Sequence, residues 1–194
     1  MKRKCVILLL RMINFTCIRV EKEEEANLDT SKIFGAPTFP KEFLQKHGLD
    51  EDYYFAQINL EQIDSYLLPK KGMLYFFFRL LEYTFEPIVI YSDEELVEVF
   101  DDVNEIFGEY DFKDALVMKF DEDGYSGFIL DEFDQEIPEA DKEYFVLLKV
   151  DPLNILADDF PIFNNPDEEI YFMMEKEDLM KLDFSKVKLV FHGS

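Results

Sequence analysis

The residues best able to do chemistry are scarce in this chain. Its 194 residues include two histidines, His47 and His192, and two cysteines, Cys5 and Cys17. Neither histidine has a Cys or His at ligand spacing, so no zinc site is written locally. Neither cysteine belongs to a C-x-x-C pair, and two are too few for a disulfide framework. Free thiols in a reducing cytosol are the expectation. His47 falls near the C-terminus of a short predicted helix, where the dipole favours an imidazolium. Neither a G-x-S-x-G elbow nor a glycine phosphate loop occurs, although a dispersed Ser-His-Asp set stays open. "DEDGYSGFILDE" puts Asp121, Asp123 and Glu132 at positions one, three and twelve of an EF-hand loop. Tyr125 stands at position five and Ser126 at six, where a ligand and a glycine belong. The flanks read as strands, so weak cation binding by an acidic region is expected and a specific calcium site is not. No catalytic residue, metal ligand or cofactor is assigned.

Polar residues at strand ends give a second set of candidates. "FAQINL" (55–60) precedes "LPKKGMLYFFF", and "LLKVDP" (147–152) precedes "FNNPDEEIYFMM". Gln57 and Asn59 align with Lys149 and Asp151 at an offset of 92, and Tyr75 with Tyr171 at 96. Each copy reads as a strand ending in a polar residue, a loop through proline, and an apolar return strand. The echo fits an internal duplication or a coincidence among short Phe-rich strands. "SKIFGAPTFP" (31–40) adds Gly35 as a turn residue with positive φ, with Pro37 and Pro40 fixing φ on either side. This loop reads as an apolar plug over a sheet end, with a ligand-gripping loop as the alternative. The ligand-binding candidates are therefore Gly35, Gln57, Asn59, Tyr75, Lys149, Asp151 and Tyr171.

Charge narrows the partners. The net charge is −23, which disfavours nucleic acid and anionic membrane surfaces. Residues 92–143 hold 20 acids against Lys113, Lys119 and Lys142, a local balance of −17. The first eleven residues reverse the sign with Lys2, Arg3, Lys4 and Arg11. Their six-residue apolar run is too short for a secretory leader and lacks a cleavage site. They read as a first strand or a dispensable extension, with translation starting at Met1 or Met12. No stretch approaches the roughly 20 apolar residues of a membrane helix.

The elements that would position these residues are mostly strands. "NFTCIRVE", "DYYFAQINL", "MLYFFF", "EPIVIY", "EYFVLLKV", "EEIYFMM" and "KVKLVFH" are rich in β-branched and aromatic residues. "ALVMKF" and "GFILDEF" read as a hairpin around "DEDGYSG". "PKEFLQKHG" and "EKEDLMKLDF" read as short helices. "SDEELVEVFDDVNEIFG" reads as one longer helix over about 92–107, with Ser92 and Glu95 as a capping box. That helix would turn Glu94, Glu98, Asp101, Asp102 and Glu105 outward as a partner-binding face, or simply a solvated one. The expected fold is one α+β domain over 12–194, mainly antiparallel β with a roll-like sheet.

In order, "SKIFGAPTFP", "YYFAQINLEQID", "LPKKGMLYFFF", "LLKVDP" and the segment from "DEEIYFMM" to "VFHG" carry a likeness. From about Ser31 onward the chain resembles the YwqG-like family of bacterial proteins, whose activity is not established. Phe34, Gly35 and Ala36 stand where that family usually has a glycine pair, which departs from its first motif. The resemblance implies a β-rich, roll-like, cytoplasmic protein. Some relatives are encoded beside toxin systems, which implies an immunity-like role. Together these readings give a non-enzymatic binding module whose acidic surface meets a basic protein. The alternative is a small-ligand binder or enzyme with a pocket beneath the 31–40 loop.

Overall fold

The computed structural model describes residues 13–20, 28–49, 52–65, 67–82, 84–99, 115–129, 131–132, 144–156 and 168–193. The protein is mainly antiparallel β with a few short helices. Two three-stranded meanders form the ends of one large sheet. The first holds β4 (Tyr53–Asn59), β5 (Met73–Leu80) and β6 (Phe85–Ser92). The second holds β11 (Tyr144–Val150), β12 (Glu168–Glu175) and β13 (Lys188–Gly193). Continuous apolar runs such as "MLYFFF" are buried on both faces, as unalternated strands must be.

Between the meanders lie β1 (Ile13–Val20), β2 (Lys32–Ile33), β8 (Ala115–Phe120) and β9 (Gly127–Ile129). The spatial order is β13-β12-β11-β9-β1-β8-β2-β4-β5-β6, and β10 (Asp131–Glu132) also pairs with β11. The sheet curls on itself. Phe172 of β12 meets Phe55, Phe76 and Phe78 of the opposite meander at ring distances of 5.6, 5.0 and 5.5 Å. A second, small sheet pairs β3 (Thr38–Pro40) with β7 (Leu96–Val99).

The expected hairpin of "ALVMKF" and "GFILDEF" does not form. β1 lies between β8 and β9 and pairs with both. The acidic turn therefore crosses over one strand. Gly124 permits this because a Cβ there would lie 2.5 Å from the backbone nitrogen of Phe15.

The expected longer helix over 92–107 is also absent. Ser92 ends β6, and Leu96–Val99 is strand β7. "LVEV" alternates with β-branched residues at 97 and 99, and pairing with Thr38–Pro40 wins over the helical stripe. Residues 100–107 lie outside the described residues. Among the described residues no helix exceeds five residues: α1 (Phe43–His47), α2 (Pro152–Leu156) and α3 (Lys176–Leu179). α1 starts later than its sequence suggests, because Pro40 closes β3. Gly48 ends it at φ 65°, as its glycine implies.

The two meanders share register in detail. Gln57 faces Tyr75, and Lys149 faces Tyr171. Ile90 continues the first row and Val190 the second. Each inner strand slips its register at one residue, Phe55 in β4 and Leu147 in β11. These bulges fall at the same offset of 92 that separates Gln57 from Lys149. The inner strands match as well, since β2 joins β4 opposite Gln57 and β9 joins β11 opposite Lys149.

Candidate functional site

The 31–40 loop is buried along its whole length. Phe34 and Gly35 both take positive φ, 55° and 67°. A Cβ at Gly35 would lie 2.6 Å from Cβ of Ala115 and 2.9 Å from its Cα, so backbone conformation and space both demand glycine. Sequence reasoning singled out Gly35 but missed that Phe34 shares the left-handed turn. That turn sends Phe34 edge-on to Phe55, 5.6 Å away. Phe39 passes to the other face of the first meander, where it stacks on Phe43 and Phe77. Thr38–Pro40 and α1 thus form a lid over Tyr54, Tyr75 and Phe77.

Three candidates hold this loop in place. Gln57 is fully buried. Its Oε1 accepts from Thr38 N–H (3.0 Å), and its Nε2 donates to the carbonyl of Thr30 (2.9 Å). Asn59 Nδ2 donates to the Asp29 carbonyl (2.9 Å), while its Oδ1 accepts from Glu61 N–H. Tyr75 donates its hydroxyl to the Thr38 carbonyl (2.9 Å), and burial pushes that phenol up. Sequence reasoning missed the two groups that join this set. Ser31 Oγ accepts from Asn59 N–H and donates to Gln62 Oε1, and the Lys32 ammonium is buried against the Ala36 carbonyl. Beneath the lid, the fully buried Tyr54 hydroxyl has no hydrogen-bond partner among the described residues.

The matching places in the second meander are charged. Lys149 donates to Glu169 Oε1, and the Tyr171 hydroxyl donates to Glu169 Oε2. The Lys149 ammonium also lies 5.8 Å from the Tyr171 ring centre. Burial would raise the Glu169 carboxyl, but hydrogen bonds from Lys149 and Tyr171 hold it below its ordinary value. Burial and then Glu169 push the Tyr171 phenol up. His192 pairs across the strands with Glu169. Asp151 adds its charge to the upward push on Tyr171, but its own hydrogen bonds lie elsewhere. It accepts from Leu153 N–H and Asn154 N–H at the start of α2. The structure therefore divides the seven ligand candidates. Gly35, Gln57, Asn59 and Tyr75 serve one loop, Lys149 and Tyr171 form an ionic cluster, and Asp151 caps a turn.

His47 departs from expectation. Burial against the Phe43 ring (4.7 Å), with Lys46 adding to it, lowers its pKa against the pull of Glu94. Burial pushes the half-buried Cys17 thiol up to about 12 despite a hydrogen bond with Ser126, so it is not a reactive thiolate. Cys5 lies outside the described residues. Of the acidic candidates, Glu94 is exposed beside Asp93 and Glu95 and pairs with Lys46. Glu98 lies in β7, opposite Phe39. Asp101, Asp102 and Glu105 lie outside the described residues. Strand β7 removes the helical argument that set these acids on one face.

Among the described residues no group of His, Cys, Asp or Glu is arranged to hold a metal ion. No helix among them is long and apolar enough to cross a membrane. An open groove of about 240 Å³ lies where β1 begins and β8 ends, lined also by residues 62–64. In comparison with known proteins, no family model and no curated protein matches this chain.

Proposed function

We propose that this chain is a non-enzymatic protein-binding module of the YwqG-like kind, which works in the cytoplasm and offers an acidic surface to a basic protein. The resemblance gives this the form of an immunity-like role toward a toxin. Its scaffold is then a roll-like sheet made by internal duplication, which the shared registers and the matched bulges at Phe55 and Leu147 support. One observation carries the functional reading. Gln57, Asn59 and Tyr75 hydrogen-bond the chain's own backbone, which leaves the 31–40 loop a plug. The net charge of −23 then supplies long-range attraction for a basic partner. The exposed turn Asp93–Glu95 belongs to that surface, and Glu98, Asp101, Asp102 and Glu105 follow it in sequence.

Affinity capture from cells that make this protein tests the reading. It should retrieve a basic protein whose association slows as salt rises from 0.1 to 1 M, where the Debye length shrinks from about 10 to about 3 Å. Capture of no basic protein, or of one indifferent to salt, overturns it.

The Tyr54 hydroxyl favours a second reading, a small-ligand binder or enzyme beneath the lid. A buried hydroxyl without a partner costs about 1–3 kcal/mol, which a polar ligand would recover. A metabolite that raises the melting temperature of the protein, but not of Tyr54→Phe, would support that reading over the first.

A further inference from the structure

The groove between β1 and β8 has two kinds of wall. Ile13, Ile63 and Phe120 give it an apolar floor, and Asp64, Asp121 and Glu122 stand around it. We propose that this groove seats a lysine or arginine side chain of a basic protein partner, its stem on the apolar floor and its head among the carboxylates. The proposal rests on the protein-binding reading and gives that surface a place, which the sequence had put at 94–105.

The chemistry of the groove selects this occupant. The three carboxylates do not converge as a metal site does. Asp64 is fully solvated and holds Lys70 at 3.1 Å, while Asp121 has no ion pair among the described residues. A cation satisfied by such spread charges must be extended and must tolerate an apolar bed. Long basic side chains do both, because they lay their methylenes on apolar surface and keep the charge wet. The cavity lies below the roughly 300–1,000 Å³ of ordinary small-molecule sites, which suits one side chain better than a cofactor. The wall is also fixed in advance. Asp121 N–H donates to the Asn14 carbonyl (3.2 Å), and Asn14 Nδ2 donates to the Glu122 carbonyl (3.0 Å). Gln62, the remaining wall residue, is tied through Oε1 to Ser31.

Acetylated hexa-arginine amide is the probe, titrated into the full chain with labelled isoleucine methyls. Saturable shifts at Ile13 and Ile63 are expected. Asp121→Asn with Glu122→Gln should weaken binding at least fivefold, and the charge-matched pair Glu82→Gln with Glu177→Gln less than twofold. All four acids are exposed, so the melting temperature should stay put and confirm that each variant folds. Equal weakening by both pairs, or a larger loss from Glu94→Gln with Glu95→Gln, overturns the groove and leaves the acidic-surface reading standing. No binding of the peptide anywhere overturns both. Displacement of the peptide by millimolar calcium, with its own shifts at Ile13, assigns the groove to a metal ion and overturns the proposal. Self-association that vanishes in the Asp121–Glu122 variant assigns it to a second copy, with the same result.

Discussion

Gln57 shows what a polar side chain does in the middle of an apolar strand. Its amide supplies an acceptor to Thr38 and a donor to Thr30, residues separated from it by sequence but brought together by the 31–40 turn. Replacing it by Leu keeps the volume but takes the side-chain partner from the buried Thr38 N–H and from the part-buried Thr30 carbonyl. The loss should be on the order of 2–4 kcal/mol, read as a lower urea midpoint with an unchanged slope. A loss below about 0.5 kcal/mol would show that water reaches the loop and that it is not a plug. Gln57 could be picked out from sequence because its type clashes with its strand. Its partners could not, because side-chain hydrogen bonds across the fold leave no local pattern. Glu169 was missed for the same reason, although Lys149 and Tyr171 beside it were singled out. Its depressed carboxyl has a pH consequence. A group whose folded pKa lies below its unfolded value adds stability above the unfolded pKa and loses it as pH falls through the folded one. Acid unfolding of Glu169→Gln should therefore show a shallower fall of stability through and below the ordinary carboxylate range. An unchanged acid limb would mean that the Lys149–Glu169–Tyr171 cluster adds nothing to folding.

Strands were legible wherever composition and length agreed, and β4, β5, β11, β12 and β13 appear where their runs of Phe, Tyr, Val and Ile put them. The segment after Ser92 was misread because its apolar spacing fits two periods. Leu96, Val99 and Phe100 suit a helix, while Val97 and Val99 suit a strand, and only the free edge of β3 decides between them. The misread hairpin has a different cause. Adjacent strands usually pair, and nothing local announces that β1 comes between β8 and β9. That insertion makes Gly127 critical. A Cβ there would lie 2.1 Å from the Lys149 carbonyl oxygen and 2.6 Å from the Phe15 ring. Gly127→Ala must move backbone on one side and a fully buried phenylalanine on the other. It should cost on the order of 3 kcal/mol or more. Gly48→Ala, at φ 65° with open space around it, should cost only about 1 kcal/mol of conformational strain. Chemical denaturation of the two variants checks the contrast, and equal losses would mean that β9 and β11 are not packed as closely as their register implies.

At the scale of the molecule, the two register-matched sets of strands are not two separate bodies. β1 precedes the first meander in sequence but pairs with β9, beside the second. β8 precedes the second meander but pairs with β2, beside the first. The two join across the middle, with Phe15 on Phe120 and Cys17 on Met118. Each set has thus given its leading strand to the other, an arrangement the echo in sequence could not reveal because "NFTCIRV" and "ALVMKF" share almost no residues. The two sets are therefore coupled through the β1–β8 and β1–β9 ladders and through the fully buried Phe15. Cutting the chain within residues 100–114 tests this. Fragment one then keeps β1 without β8 or β9, and fragment two keeps β8 and β9 without the strand that joins them. Neither should yield a folded monomer, because β2 and β9 would each expose an unpaired edge. Mixed, they should assemble one to one with a cooperative transition. Alone, each should be unfolded or pair with a second copy of itself, since the matched registers let a like strand fill the vacant place. Assembly should also persist as salt rises to 1 M, unlike binding of a basic partner, because apolar burial and ladder hydrogen bonds are barely screened. A folded monomer from either fragment would show that the exchange of leading strands does not bind the two sets together.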